Sequence, residues 1–543
     1  MGRSSSAGYQ TVIPQASAAP VASVMRRSDS VAAMVIAVVA LASSLPALSA
    51  RSLWGDEAFS VGLVRQPWHV FWTYVWGPEC NMALYWVGLR AWLALLNAAN
   101  VPVTEFLIRL PSAVAAASAV GVVYLIGRQL VGWKTALLGA TLYWLNYLQL
   151  YQTLDARAYA FEMLLTNFGW YALLRWRRQP EQRRWQLFYA LSMGVAVYFH
   201  YYALLVLATQ LVAVALIAWF RGGARWRSVV AEAKRMASMV ILVVALALPT
   251  LVDAALHGGH NDWVPPAHLL SFGALARDVA GYSPFYFIAL ALAVVLAFAA
   301  VLAPQSRPPA KTSLLNTASW TQAPREVLIL LGCWIAVPPL AAFAVTQPIV
   351  NLHLFNPTYL VVIVPGVCLL AAAGALTFRR SAARIAAALL IVVCAATAVP
   401  NYLASAPRVD NVDLVSWIDA HYQAGDGLVT TSNKASVTLD YYFGPGSRTP
   451  YFTDAYPGRF SWVNREMSTA SLSDAGIAAY AETRPRVFFV AYTPLFLSQL
   501  DPTARSGLHS LESRYRLTDK RVWRTSLGSE VWVRLYDTAG PPH

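Results

Sequence analysis

The stretch that decides the fold is VAAMVIAVVALASSLPALSA, residues 31–50, followed at once by LWGDEAFS, residues 53–60. Residues 31–50 carry no charge over a length that crosses the hydrocarbon of a bilayer as one helix. The run is too long for the apolar part of a signal peptide, so Arg26-Arg27 before it and Ala47-Leu48-Ser49 near its end are not read as a cleaved leader. Just beyond it stands the acidic pair Asp56-Glu57. Carboxylates at a lipid boundary cost free energy, and in that position they mark a reaction centre or an ion path.

The same apolar pattern recurs along the chain. Of 543 residues, 57% are hydrophobic and 13% charged, which excludes an ordinary soluble globule. Eleven runs are expected to span a membrane: 31–50, 108–126, 135–150, 158–174, 187–199, 202–220, 236–256, 285–302, 327–345, 358–376 and 385–400. Several are shorter than the roughly 20 residues of a perpendicular helix. The pair 187–199 and 202–220, joined at His200-Tyr201, reads equally as one kinked helix. Cys333, Cys368 and Cys394 lie inside apolar runs and Cys80 stands alone in a loop, so the four cysteines form no disulfide framework.

A net charge of +14 resembles a nucleic-acid signal until it is divided. Residues 400–543 hold 14 basic and 14 acidic side chains, so the whole excess lies in 1–399, with 27 basic against 13 acidic. It falls in short runs such as Arg175, Arg177, Arg178, Arg183 and Arg184, between apolar spans. That is the positive-inside pattern of cytoplasmic loops, and no nucleic acid is implied. With eleven spans and the N-terminus inside, cytoplasmic loops carry 21 Lys and Arg and the short outer loops five. Ten spans would put the basic run 221–235 outside, which the asymmetry rejects. The expected fold is therefore a multi-pass α-helical membrane protein with Asp56-Glu57, Asp155, His200 and the last 140 or so residues on the outer face.

Three segments complete the organisation. Residues 1–30, rich in Ser, Ala and Gln, are expected to be a disordered cytoplasmic segment. Residues 31–400 hold the spans, with a long first outer loop at 51–106 full of Trp and Tyr, suited to interfacial helices or to stacking on a sugar. Residues 401–543 read as a soluble extracytoplasmic α/β domain. In it, Val412–Tyr422 and Ser471–Tyr480 fit helices, Leu428–Thr431 and Arg486–Tyr492 fit buried strands, and Arg521–Asp537 fits a strand pair turning at Gly528.

Two further constellations share the outer face with Asp56-Glu57. Asp155 and Arg157 would diverge by about 200° on a helix, so they are not read as each other's salt bridge there. A guanidinium at that surface suits a phosphate, which it binds bidentately. His200-Tyr201-Tyr202 is the other. His257, His260 and Asp262 in the loop 256–284 could make a metal site, but Gly and Pro there favour an ordinary turn-rich loop; a divalent metal is left open without a recognised motif to support it, and no cofactor is assigned.

Taken in order, the segments Trp54-Gly55-Asp56-Glu57-Ala58-Phe59-Ser60, Asn81-Met82-Ala83-Leu84-Tyr85-Trp86, Leu107-Ile108-Arg109-Leu110-Pro111-Ser112, Asp155-Ala156-Arg157-Ala158-Tyr159 and Tyr198-Phe199-His200-Tyr201-Tyr202 form a recognisable series. It resembles bacterial membrane glycosyltransferases with the GT-C fold, in the group of glycosyltransferase family 39 that is similar to protein O-mannosyltransferases and the lipid A aminoarabinose transferase. From 211 to 400 the resemblance rests on the span pattern and Phe355-Asn356-Pro357-Thr358-Tyr359-Leu360. It implies an inner-membrane enzyme that moves a sugar from a polyprenyl-phosphate carrier to an extracytoplasmic glycan, lipid or protein, with inversion. It also implies a catalytic set of Asp56, Glu57 and Asp155, with Asp56 the general base and Glu57 holding the loop. Arg157, Tyr159, His200, Tyr201, Asn81, Tyr85 and Tyr359 would bind donor phosphate or substrate. The chain departs from its relatives at Asn81-Met82-Ala83, where many have His-Pro-Pro or Asn-Pro-Pro, at Asp155, where many have Glu, and at Thr358, where many have Arg. A transporter or flippase using the carboxylates as an ion path is the competing reading, although no repeat in the hydropathy pattern supports it.

Overall fold

The first apolar run becomes the centre of α1 (Arg27–Leu48), one helix of a large bundle. A computed structural model describes residues 27–77, 79–221, 225–257, 264–302, 317, 320–405, 410–431, 433–443, 473–493, 500, 502–524 and 530–539. Of the segment expected to be disordered, residues 1–26 lie outside this set, and Arg27–Ser30 already form the first turn of α1. There Asp29 accepts from Arg128 Nε at 2.9 Å, tying α1 to the far end of α5 (Glu105–Leu130). The two helices touch along small residues. A Cβ added at Gly121 would sit 2.6 Å from the Ala33 carbonyl oxygen, so only glycine permits that approach.

The long first loop is helical for most of its length. It contains α2 (Gly55–Arg65), α3 (Trp68–Val75), a short 3-10 turn at Cys80–Met82 and α4 (Ala83–Ala98). α2 starts where it does because Trp54 caps it in an extended conformation and Glu57, three residues on, accepts the Trp54 N–H at 3.3 Å. Asp56 and Glu57 in its first turn also suit the positive end of the helix dipole.

Every expected span corresponds to helix, though not always to one unbroken helix. The run 135–150 divides into α6 (Trp133–Trp144) and α7 (Tyr147–Thr153), because Asn146 turns its side chain onto the Leu148 N–H and starts a new helix. α8 (Tyr159–Arg178) follows after a non-helical link. The uncertain pair is two helices, α9 (Arg183–Val197) and α10 (Ala203–Arg221), with a turn at His200 between them. Then come α11 (Arg225–His257), α12 (Leu269–Val279), α13 (Pro284–Leu302) and α14 (Pro324–Thr346). A 3-10 segment at Tyr359–Ile363 leads into α15 (Val364–Ala375), and α16 (Ser381–Ala396) and α17 (Ala398–Ser405) share the last run. Among the described residues, seven helices are long and apolar enough to cross a membrane. Their outward side chains, among them Met34, Val38, Ile241, Leu248, Leu292, Val295 and Leu389, are exposed and apolar, as a lipid-facing surface requires.

The C-terminal sheet has the order β1-β2-β4-β3. β1 (Gly427–Thr430) runs parallel to β2 (Arg486–Tyr492), while β4 (Glu530–Asp537) is antiparallel to both β2 and β3 (Arg516–Arg524). Alternation along β2 sends Phe488 and Val490 to one core and Val487, Phe489 and Ala491 to the other, so the central strand is apolar on both faces. α18 (Asn411–His421) and α19 (Asn433–Phe443) cover the first face, and α20 (Asp474–Glu482) and α21 (Pro502–Glu512) the second. The expected helices and strands of this region are present to within a few residues, and the turn at Gly528 lies outside the described residues. α19 and α21 are additions, and α19 packs on α2 as well as on the sheet.

Candidate functional site

Glu57 organises the site from inside. It is fully buried and grips Arg109 with both oxygens, at 2.7 Å to Nε and 2.6 Å to the terminal nitrogen. The same guanidinium donates to the carbonyls of Leu48, Arg51 and Ser52 at 2.7–2.9 Å, holding the end of α1 and the link to α2. Glu57 also accepts the Ala156 N–H at 2.9 Å, which fixes the link between α7 and α8. Both of its oxygens are thus bonded within the scaffold around the start of α2. Arg109 is a residue whose role sequence reasoning missed. The signal was there: an arginine inside an apolar run is retained only with partners.

Asp56, the adjacent residue, points elsewhere. It is half-buried, and its carboxylate accepts no hydrogen bond among the described residues. Arg157 lies within electrostatic reach of it. The link 154–158 is not helical, so Asp155 and Arg157 are placed by turns, not by a helical angle. Asp155, 1% exposed, accepts from Trp54 Nε1 at 2.8 Å. Arg157 turns the other way, its guanidinium 5.4 Å from the centre of the Trp86 ring and 3.5 Å from the Asp56 carbonyl and the Ser60 hydroxyl. It has no carboxylate within 4.0 Å and its Nε has no partner among the described residues. Burial works against its charge, but Asp56, then Tyr159 and Asp155, hold its pKa above the ordinary arginine range. A cation so buried and so weakly bonded is ready for an anion.

Aromatic rings wall the site. Tyr159 stacks on Tyr359 with centroids 5.1 Å apart, and His200 lies 5.1 Å from Tyr159 and 5.3 Å from Tyr359. Tyr85 is buried against Trp86 and Phe161, within reach of the Arg157 and Asp155 charges. Burial pushes its pKa well up, so it remains a neutral phenol and a donor. His200 Nδ1 accepts the Tyr202 N–H at 3.3 Å, and burial, with Arg157 second, pushes its pKa down to about 3. It is a neutral imidazole in the wall. Behind it Glu162, fully buried and also missed in the sequence, comes to 3.9 Å of Nδ1.

The structure thus brings Asp56, Glu57, Asp155, Arg157, Tyr159, His200, Tyr85 and Tyr359 to one place. Tyr201 and Asn81 lie to the side. The Tyr201 hydroxyl meets Cys80 Sγ at 3.0 Å and Thr250 at 3.1–3.2 Å. Asn81 is in the 3-10 turn beside that contact. His257 pairs with Asp253 at 2.8 Å, while His260 and Asp262 lie outside the described residues. No three His, Cys, Asp or Glu side chains gather as metal ligands among the described residues.

This architecture is that of solved GT-C structures. ArnT from Cupriavidus metallidurans in the apo state superposes with a TM-score of 0.55 over 94% of this chain and 98% of its own, at 13% identity. The same protein bound to undecaprenyl phosphate gives 0.53 over 94% and 99%, also at 13%. No family model matches the sequence and no curated protein does. The fold is GT-C.

Proposed function

We propose that the protein transfers a sugar from a polyprenyl-phosphate carrier to an acceptor hydroxyl, with inversion. The observation that carries this reading is Arg157: buried, facing Asp56, and without a carboxylate within 4.0 Å among the described residues. In this reading Arg157 holds a carrier phosphate while Asp56, whose carboxylate accepts no hydrogen bond among the described residues, takes a proton. The likeness to an ArnT structure that contains undecaprenyl phosphate supports the same carrier class.

In this reading the acceptor oxygen loses its proton to Asp56 as it attacks the anomeric carbon. The bond from that carbon to the phosphate oxygen breaks on the opposite side. Its electron pair leaves on the carrier phosphate, whose growing charge Arg157 stabilises. Asp155 and Trp54 orient the link that carries Arg157, and Glu57 with Arg109 holds α2. Tyr85, Tyr159, Tyr359 and His200 give the sugar and phosphate an aromatic wall with neutral donors, while Asn81 and Tyr201 serve the rim. The membrane is the bacterial inner membrane, with Asp56 and residues 401–543 on the extracytoplasmic side.

Purified protein in liposomes, given labelled polyprenyl-phosphate sugars and a mixed acceptor fraction, should release carrier phosphate. If no donor tested is cleaved, and a solute crosses sealed vesicles instead, the protein is a transporter and this reading falls.

A further inference from the structure

Residues 52 and 53 lie four and three positions before Asp56, and the Leu53 backbone and the Ser52 hydroxyl are held by groups from more than 350 residues away. Asn411, at the start of α18, donates its side-chain N–H to the Leu53 carbonyl at 2.9 Å and its backbone N–H to the Ser52 hydroxyl at 2.9 Å. Tyr492 of β2 fixes Asn411 by donating to its side-chain oxygen at 2.8 Å. Tyr442 of α19 accepts the Leu53 N–H at 3.0 Å, and its own hydroxyl reaches Glu105 at 3.4 Å. The neighbouring residue Tyr441 places its ring 5.7 Å from the Arg65 guanidinium at the other end of α2. Leu53 is fully buried and Ser52 nearly so, so water cannot replace these bonds.

We propose that the C-terminal sheet region is a positioning element for Asp56, with Asn411 and Tyr442 as its positioning residues. This rests on the reading of Asp56 as base. The Ser52-Leu53 backbone is gripped from the bundle by Arg109 and from the sheet region by Asn411 and Tyr442. The first turn of α2 follows directly, and the direction of the Asp56 carboxylate follows from that turn. An error of about 1 Å in a reacting group costs on the order of a hundredfold in rate. Two lost bonds to one buried residue are enough to permit part of such an error.

The test uses full-length Tyr442→Phe, which removes one oxygen, and Asn411→Ala. Hydrogen exchange should rise in peptides covering residues 51–60 and stay unchanged in peptides from α16, which is remote from the contact. Turnover should fall roughly tenfold, with the Michaelis constant for the lipid-linked donor within about twofold, because Arg157 is held from the α7–α8 link. Unchanged exchange over 51–60 overturns the proposal, as does full turnover in both variants. The exchange arm needs no substrate. If wild-type protein cleaves no donor while exchange responds as stated, the transferase reading fails and the clamp stands as a structural fact.

Discussion

Breaking the Glu57–Arg109 pair tests how much it holds the scaffold together. In Arg109→Met the Glu57 carboxylate stays fully buried without its guanidinium, and the carbonyls of Leu48, Arg51 and Ser52 lose a donor. Removing one partner of a buried ion pair costs about 3–5 kcal/mol, chiefly because the other charge is left uncompensated. With about 2.1 cal/mol/K of unfolding entropy per residue, 4 kcal/mol over 543 residues is a fall of roughly 3–4 °C in midpoint. Glu57→Gln keeps the volume and removes the charge, and should cost about 2–3 kcal/mol by the same reasoning. In the double variant no ion is stranded, so its loss should be smaller than the sum by about 2 kcal/mol or more. Thermal unfolding of the four proteins in one detergent, followed by tryptophan fluorescence, reads all three differences. Additive losses, or Arg109→Met unfolding with the wild type, would refute the account of this pair.

Other expectations bear on the site itself. Arg157→Lys keeps the charge but loses the planar fork, so turnover should fall by about 100-fold or more and the protein should bind polyprenyl phosphate more weakly; unchanged binding of that lipid would remove Arg157 from the phosphate site. Trp54→Phe deletes the N–H held by Asp155 and should cost about 1 kcal/mol of stability and a few-fold in turnover, measured side by side. His200 is neutral down to about pH 3, against about 6.5 when unfolded. Between those values only the unfolded chain takes up the proton, so stability rises with pH there and is lost as the pH falls below about 6.5. At pH 5 the loss is about 2 kcal/mol, and His200→Gln should lack it; unfolding midpoints of the two proteins at pH 7 and pH 5 give the comparison.

Much of the fold was legible in the sequence because apolar length and charge asymmetry are direct physical requirements of a bilayer. What the pattern could not reveal is where a run breaks. Asn146 ends one helix and caps the next inside what hydropathy reads as one span, and Tyr359–Ile363 starts its run as a 3-10 segment. α19 was missed because it is apolar on two sides: Ala435, Leu439 and Phe443 face the sheet while Val437 and Tyr441 face the loop helices. That double burial hides the helical period. At the site, the motif series supplied Asp56, Asp155 and Arg157, but not which faces which. Asp155 turning to Trp54, and Arg157 turning to Asp56, are settled by a link that has no helical geometry to extrapolate. Arg109, Glu162 and Tyr442 each sit in stretches whose surroundings read as ordinary span or domain interior, and only their distant partners give them a role.

In the proposed reaction Asp56 is the base of an inverting transfer that Arg157 assists. Turnover and polyprenyl-phosphate binding measured together on wild type and Asp56→Asn test it most directly. Carrier-phosphate release should fall by about 10²–10⁴ while the lipid binds as tightly as before. Release at the wild-type rate from Asp56→Asn would contradict it.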